Sequence, residues 1–179
     1  MIVLVGFMGA GKTTVGHLLA AELGLRFVDS DQVIEPRAGR LIREIFAEDG
    51  EAAFRALEHQ VIAGLLEGPD LVLALGGGAV EHPLTRDTLA SHPRAQVVYL
   101  QVGYAQALRR VGRDGGRPML ARPDLPALYQ HRLAAYGGAA TLTVATDDRD
   151  PETVSKDILA QLAGAPAVRR RAPDPKPAP

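Results

Sequence analysis

Five short apolar runs punctuate the chain: Ile2–Val5, Arg26–Val28, Leu71–Leu75, Gln96–Leu100 and Thr141–Thr146. Brief runs rich in Val and Leu suit strands buried on both faces of a parallel sheet. Helical spacing fills the intervals at Lys12–Leu23, Leu41–Phe46, Glu51–Leu66, Tyr104–Val111, Leu125–Tyr136 and Pro151–Leu162. Pro151 fits a first helical turn, and Asp150 just before it fits a cap. Strands and helices alternate without repeats and without a second core, which predicts one three-layer α/β/α domain over residues 1–163 with a five-stranded parallel sheet. From Gly164 the large apolar side chains run out. The ending RRRAPDPKPAP therefore reads as a solvated, unstructured tail over 164–179.

Composition narrows the partners. At 179 residues the chain suits one domain. A formal charge of −1 lacks the basic excess of a nucleic-acid surface. No apolar run is long enough to span a bilayer, and Ile2–Val5 is too short for the apolar region of a signal peptide. Cysteine is absent, so disulfides and thiolate zinc sites are excluded. The five histidines, His17, His59, His82, His92 and His131, have no metal-ligand spacing. A soluble, monomeric, cytoplasmic protein with small-molecule partners is expected. Asparagine is also absent, which fits either codon bias or depletion of heat-labile residues.

The densest chemical signal is the stretch Gly6 to Thr14, GFMGAGKTT. Gly6, Gly11, Lys12 and Thr13 fill the fixed places of GxxxxGK[ST], between an apolar strand and an amphipathic helix. Glycines let the backbone curl so that successive N–H groups face an anion, and the following helix adds its positive end. Gly9, Ala10, Gly11, Lys12, Thr13 and Thr14 are the candidate contacts to nucleotide phosphates. Lys12 would reach the β- and γ-phosphates, and the Thr13 hydroxyl would ligate Mg²⁺. The motif predicts a P-loop NTPase.

The second strand ends in Val28-Asp29-Ser30-Asp31. Ligands of open parallel sheets sit beyond the carboxyl ends of strands, and residues two apart on an extended chain point the same way. One carboxylate would then hold the metal or its waters while the other accepts a hydroxyl proton. The competing reading is a cap for a helix beginning at Gln32.

GFMGAGKTTVG, DSDQVIEPRAGRLIREIF, GEAAFRALE, LALGGGAV and GRPML follow one another in an order that resembles the shikimate kinases, over nearly the whole chain to about Leu162. The resemblance implies a nucleoside monophosphate kinase-like fold, ATP as co-substrate, Mg²⁺, and phosphorylation of the 3-hydroxyl of shikimate on the route to chorismate and the aromatic amino acids. It assigns Asp31 to the substrate hydroxyl, as orienting group and base, and Asp29 to the metal. The substrate carboxylate falls to Arg55 of the FRxxE motif and to Arg132, with Arg122 and Arg109 as alternatives for the second place. A planar guanidinium matches a carboxylate with two parallel hydrogen bonds. Glu58, three residues after Arg55 on the same helical face, would fix its orientation. Backbone amides at Gly77 and Gly78 join the substrate site, and Phe46 and Phe54 match its apolar wall.

The glycine-rich segment near 112–123 is expected to form a lid. Arg117 in GRPML matches the lid arginine, which would neutralise charge on the transferred phosphoryl group. Arg110, together with Arg149 and Pro151, matches the adenine-side positions. Gluconate and nucleoside monophosphate kinases are the rival enzymes, and FRALE with GGGAV argues against both. A GTPase-type switch would select guanine through Asn-Lys-x-Asp, which a chain without asparagine cannot build. A catalytically silent nucleotide-binding scaffold would have little reason to keep Lys12, Thr13, Asp31, Arg55 and Arg117 together.

Overall fold

A computed structural model describes residues 1–113 and 124–164. In chain order the elements are β1 (Ile2–Val5), α1 (Lys12–Leu23), β2 (Arg26–Asp29), α2 (Ser30–Ala38), α3 (Ile42–Glu48), α4 (Gly50–Glu67) and β3 (Leu71–Ala74). A 3₁₀ turn (Ala79–Glu81), α5 (Pro83–Ser91), β4 (Gln96–Gln101), α6 (Tyr104–Arg113), α7 (Leu125–Ala139), β5 (Leu142–Ala145) and α8 (Pro151–Gly164) follow. The five strands pair in parallel in the order β2-β3-β1-β4-β5. β1 and β3 are buried at every position, as inner strands covered on both faces must be. The edge strands β2 and β5 expose some of their residues. α1 packs with α8, while α5 lies against both α4 and α7, and α7 meets β4.

Every expected strand is present, and each expected helix is present with boundaries moved by a few residues. Asp150 does cap α8: its carboxylate accepts from the Thr153 amide at 2.7 Å and from the Thr153 hydroxyl at 2.7 Å.

Three features depart from the sequence reading. α2 stood only as the competing reading, a capped helix from Gln32, because Pro36 lies inside it and removes an amide from the hydrogen-bond ladder. α5 begins at Pro83 and was missed. There is, further, a second apolar cluster of Ile34, Ile45, Phe54 and Val61, contributed by α2, α3 and α4. This satellite core fixes those three helices to one another and carries one wall of the cavity described next.

Candidate active site

The chain turns sharply after β1, and Gly9 (φ 74°) shows why no side chain is tolerated there: a Cβ would lie 2.6 Å from the Ala107 carbonyl oxygen. Backbone meets backbone at that point, so neither side can yield. α1 then starts at Lys12 with Gly11 as its cap residue and no side-chain capping bond. Its first-turn amides are thereby left for an anion, at the positive end of the helix. The Lys12 ammonium folds back onto the loop, donating to the Gly6 carbonyl at 2.8 Å and the Phe7 carbonyl at 3.2 Å.

A cavity of about 680 Å³ opens over this loop. Met8, Gly9, Gly11, Lys12, Thr13 and Thr14 form one side. Asp29 and Asp31 stand at the end of β2, and Leu75, Gly76, Gly77 and Gly78 follow β3. Ile42, Phe46, Phe54, Arg55 and Glu58 come from α3 and α4, and Arg110 and Arg132 complete the wall. Ala10 is buried within the loop, behind the surface.

Asp29 and Asp31 reach the cavity by a different route from the one expected. Asp31 is not on an extended chain but in the first turn of α2, and Asp29 is the residue that caps that helix. The Asp29 carboxylate accepts the Asp31 amide at 3.0 Å. Cap and site residue are thus the same group. Burial first, and then the neighbouring Asp29, push the Asp31 carboxyl above the usual carboxylate range, against the opposing pull of Lys12 and Arg55.

Arg55 is held from several directions. Its Nη1 donates to Glu58 Oε2 at 2.7 Å and its Nη2 to Glu51 at 3.1 Å, while its Cζ lies 5.3 Å from the Phe54 ring centroid and 5.9 Å from that of Phe46. The spacing of Glu51, Arg55 and Glu58 is i, i+4, i+7, which puts all three on one face of α4. Nε of Arg55 and Oε1 of Glu58 are buried with no hydrogen-bond partner among the described residues.

The glycine run earns its composition from these neighbours. A Cβ on Gly76 would sit 2.6 Å from Glu58 Oε1 and 2.7 Å from Asp31 Oδ1, so two carboxylates meet over that residue. A Cβ on Gly78 would collide with Arg55 Nη2. Ser30 accepts the Gly76 amide at 3.0 Å and thereby ties the run to α2.

Glu58 titrates in an unusual range. Burial raises its carboxyl to about 7, against the pull of the Arg55 guanidinium and with added repulsion from Asp31. A carboxyl whose folded pKa lies above its unfolded value stabilises the fold fully below the unfolded pKa, and that contribution fades as pH rises through the folded one. The stability advantage of the native protein over Glu58→Gln should therefore shrink between about pH 5 and about pH 8 in thermal unfolding. An advantage that grows over that interval contradicts the assignment.

Arg132 lies on α7 between Tyr129 and Tyr136, at i, i+3 and i+7, on the face that docks into the protein. Tyr129 donates to the Val102 carbonyl at 2.9 Å and Tyr136 to the Gly77 carbonyl at 2.5 Å. These two phenols seat α7 and leave Arg132, 7 % exposed, beside the glycine run. Arg110 donates to the Gly9 carbonyl at 3.2 Å and the Thr146 hydroxyl at 3.1 Å, pinning the phosphate loop to the end of β5.

Arg149 stands apart from the cavity wall, paired with Asp157 and donating to the Ala145 carbonyl at 3.2 Å. Arg109 is likewise outside that wall and donates to Gln106 at 3.0 Å. Arg117, Arg122 and residues 114–123 of the expected lid lie outside the described residues, as do residues 165–179 of the expected tail. Sequence reasoning passed over Glu81 and Tyr136, whose roles depend on α7 returning to the glycine run 50 and more residues later.

One end of this cavity holds the glycine loop and the start of α1, and the other holds two arginines beside a carboxylate, an arrangement that fits a P-loop kinase acting on small molecules. A family model described as shikimate kinase matches residues 8–163. The shikimate kinase of Thermobifida fusca is 48% identical over 168 residues, covering 92% of this chain and 96% of that protein. That of Salinispora arenicola is 49% identical over 164 residues, covering 90% and 96%. Among solved structures, shikimate kinase from Acinetobacter baumannii in complex with shikimate superposes with a TM-score of 0.81 at 40% identity, covering 90% of this chain and 91% of that one. The chain belongs to the shikimate kinase family, a family of ATP-dependent kinases with an alcohol acceptor.

Proposed function

We propose that this enzyme transfers the γ-phosphoryl group of ATP to the 3-hydroxyl of shikimate, on the route to chorismate and the aromatic amino acids. The observation that carries the reading is that Lys12, Asp31, Arg55 and Arg132 line one cavity. Lys12 leaves the loop carbonyls for the β- and γ-phosphates, and the first-turn amides at Thr13 and Thr14 receive the rest of the triphosphate chain. Arg55 and Arg132 grip the substrate carboxylate, and the amides of Gly77 and Gly78 hold the ring.

With the acid so held, its hydroxyl meets Asp31, which orients it and accepts its proton as the oxygen attacks phosphorus. The leaving ADP carries away the charge of the broken P–O bond. Phosphoryl transfer asks for positioning and charge neutralisation more than covalent help. Arg117 adds neutralisation from a lid near 112–123, and Arg110 and Arg149 bear on the adenine.

The Thr13 hydroxyl and the Asp29 carboxylate offer hard oxygen donors on the same wall, a set that suits Mg²⁺. Mg²⁺ held there by Thr13 and Asp29 would supply positive charge that offsets the charge of the phosphates. In this reading the kinase domain spans 1–163 with a tail over 164–179, and the enzyme works as a monomer in the cytoplasm. Among the described residues no helix is long and apolar enough to cross a membrane.

Release of ADP, measured in parallel with shikimate, quinate, gluconate and AMP, tests the acceptor. Rapid turnover is expected with shikimate. Turnover with gluconate or AMP and none with shikimate would transfer the assignment to a sister kinase.

A further inference from the structure

The 3₁₀ turn that follows the glycine run ends in a carboxylate, Glu81, which touches both substrate-side arginines. Glu81 Oε2 lies 3.0 Å from Arg132 Nε, 2.8 Å from Arg132 Nη2 and 3.8 Å from Arg55 Nη2. One oxygen therefore bridges cations from α4 and α7. Its other oxygen lies 3.2 Å from His131 Nδ1 at the surface.

The turn itself is braced. The Glu81 amide donates to the Gly78 carbonyl at 2.9 Å, and Arg86 Nη1 donates to the Val80 and Glu81 carbonyls at 2.8 and 2.9 Å.

Two arrangements are chemically available to a carboxylate in this position. It could sit in the anion site and compete with substrate, or stand behind the arginines and aim them. The cavity decides between these. Arg55 and Arg132 line it, whereas Glu81 is not part of its wall. Glu81 occupies the Nε–Nη2 edge of Arg132, which leaves Nη1 directed at the glycine run, 3.4 Å from where a Cβ of Gly77 would stand. An arginine with one edge occupied presents its remaining donors in a fixed plane. Two guanidinium groups converging on one pocket repel each other, and an anion shared between them offsets that repulsion.

The geometry points to Glu81 as the positioning residue that sets how Arg55 and Arg132 together receive the carboxylate of the acceptor. This assignment rests on the reading of the site as one for an anionic alcohol. Glu81 touches no reacting atom, so its effect falls on acceptor KM rather than on the chemical step.

Steady-state kinetics of Glu81→Ala and Glu81→Gln in the full chain provide the test, with shikimate and its uncharged methyl ester as acceptors. Glu81→Ala should raise the KM for shikimate about tenfold, with kcat held within about twofold and the KM for ATP unchanged. Glu81→Gln, which keeps an acceptor oxygen but loses the charge, should give a smaller rise in the same direction, and it decides the matter if the alanine variant does not fold. With the methyl ester, variant and native KM should converge. An unchanged or lowered KM for shikimate, or an equal rise for the ester, overturns the assignment. A crystal structure of Glu81→Gln separates this inference from the choice of substrate: Arg132 should turn away from Gly77, and an unmoved Arg132 overturns the role of Glu81 whichever acceptor the enzyme uses.

Discussion

Asp31→Asn should lower kcat with shikimate by about three orders of magnitude while ATP still binds, because general-base assistance of this kind contributes roughly 10²–10⁴-fold. Asparagine keeps the shape of the side chain and its place in the first turn of α2, so the Asp29 cap onto the residue 31 amide survives. What disappears is the acceptor for the hydroxyl proton and one negative charge facing Lys12. Burial and Asp29 hold the native Asp31 carboxyl above its ordinary range. A base must be deprotonated to act, so the acid limb of kcat/KM should fall at a higher pH than an exposed aspartate would give. Single-turnover measurement with saturating nucleotide isolates the chemical step, and near-native turnover by Asp31→Asn would remove Asp31 from the mechanism.

Arg55→Leu should raise the KM for shikimate on the order of a hundredfold, the scale on which truncating one partner of a hydrogen-bonded charge pair weakens binding. Two losses coincide in that variant. The substrate carboxylate loses one of its two cationic forks, and Glu58, only 1 % exposed, loses the guanidinium at 2.7 Å that opposes its desolvation. Its carboxyl, already raised to about 7, should then take up a proton more readily still. Gly78→Ala perturbs the same site while keeping the guanidinium in the chain. The added methyl strikes the far ends of the Arg55 and Glu81 side chains rather than any backbone. The fold should tolerate it while Arg55 is pushed from its place. A shikimate KM that rises in Gly78→Ala with little loss of thermal stability supports this account. An unchanged KM in both variants would detach Arg55 from the acceptor.

How far these features could be seen beforehand depends on the range over which each is encoded. Lys12 and Thr13 belong to a local motif, nine residues bounded by a strand and a helix, and their placement needed no tertiary information. Asp31 was singled out correctly as a cavity residue by its nearness to the end of β2, but for the wrong geometric reason. The chain is already helical there, since Asp29 captures an amide that an extended strand would have left free. α2 itself was only the competing reading, its pattern weakened by Pro36 and by its few apolar residues. The satellite core was invisible for a related reason. Ile34 and Ile45 look incidental in their own short segments, Phe54 was read as a pocket wall, and they form a cluster only when three helices fold together. Glu81 is the extreme case. Nothing near it in the chain signals a charge partner, because Arg132 lies 51 residues further on and Arg55 comes from a helix on the far side of β3.

The measurement closest to the centre of this account is a crystal structure of the full chain with shikimate and a non-hydrolysable ATP analogue. The account predicts the acid with its carboxylate on Arg55 and Arg132 and its 3-hydroxyl on Asp31. That hydroxyl should point along the line to a γ-phosphorus held by Lys12 and the turn at Gly9 to Gly11. Shikimate bound elsewhere, or seated with its 3-hydroxyl turned away from the phosphate cradle, would contradict it.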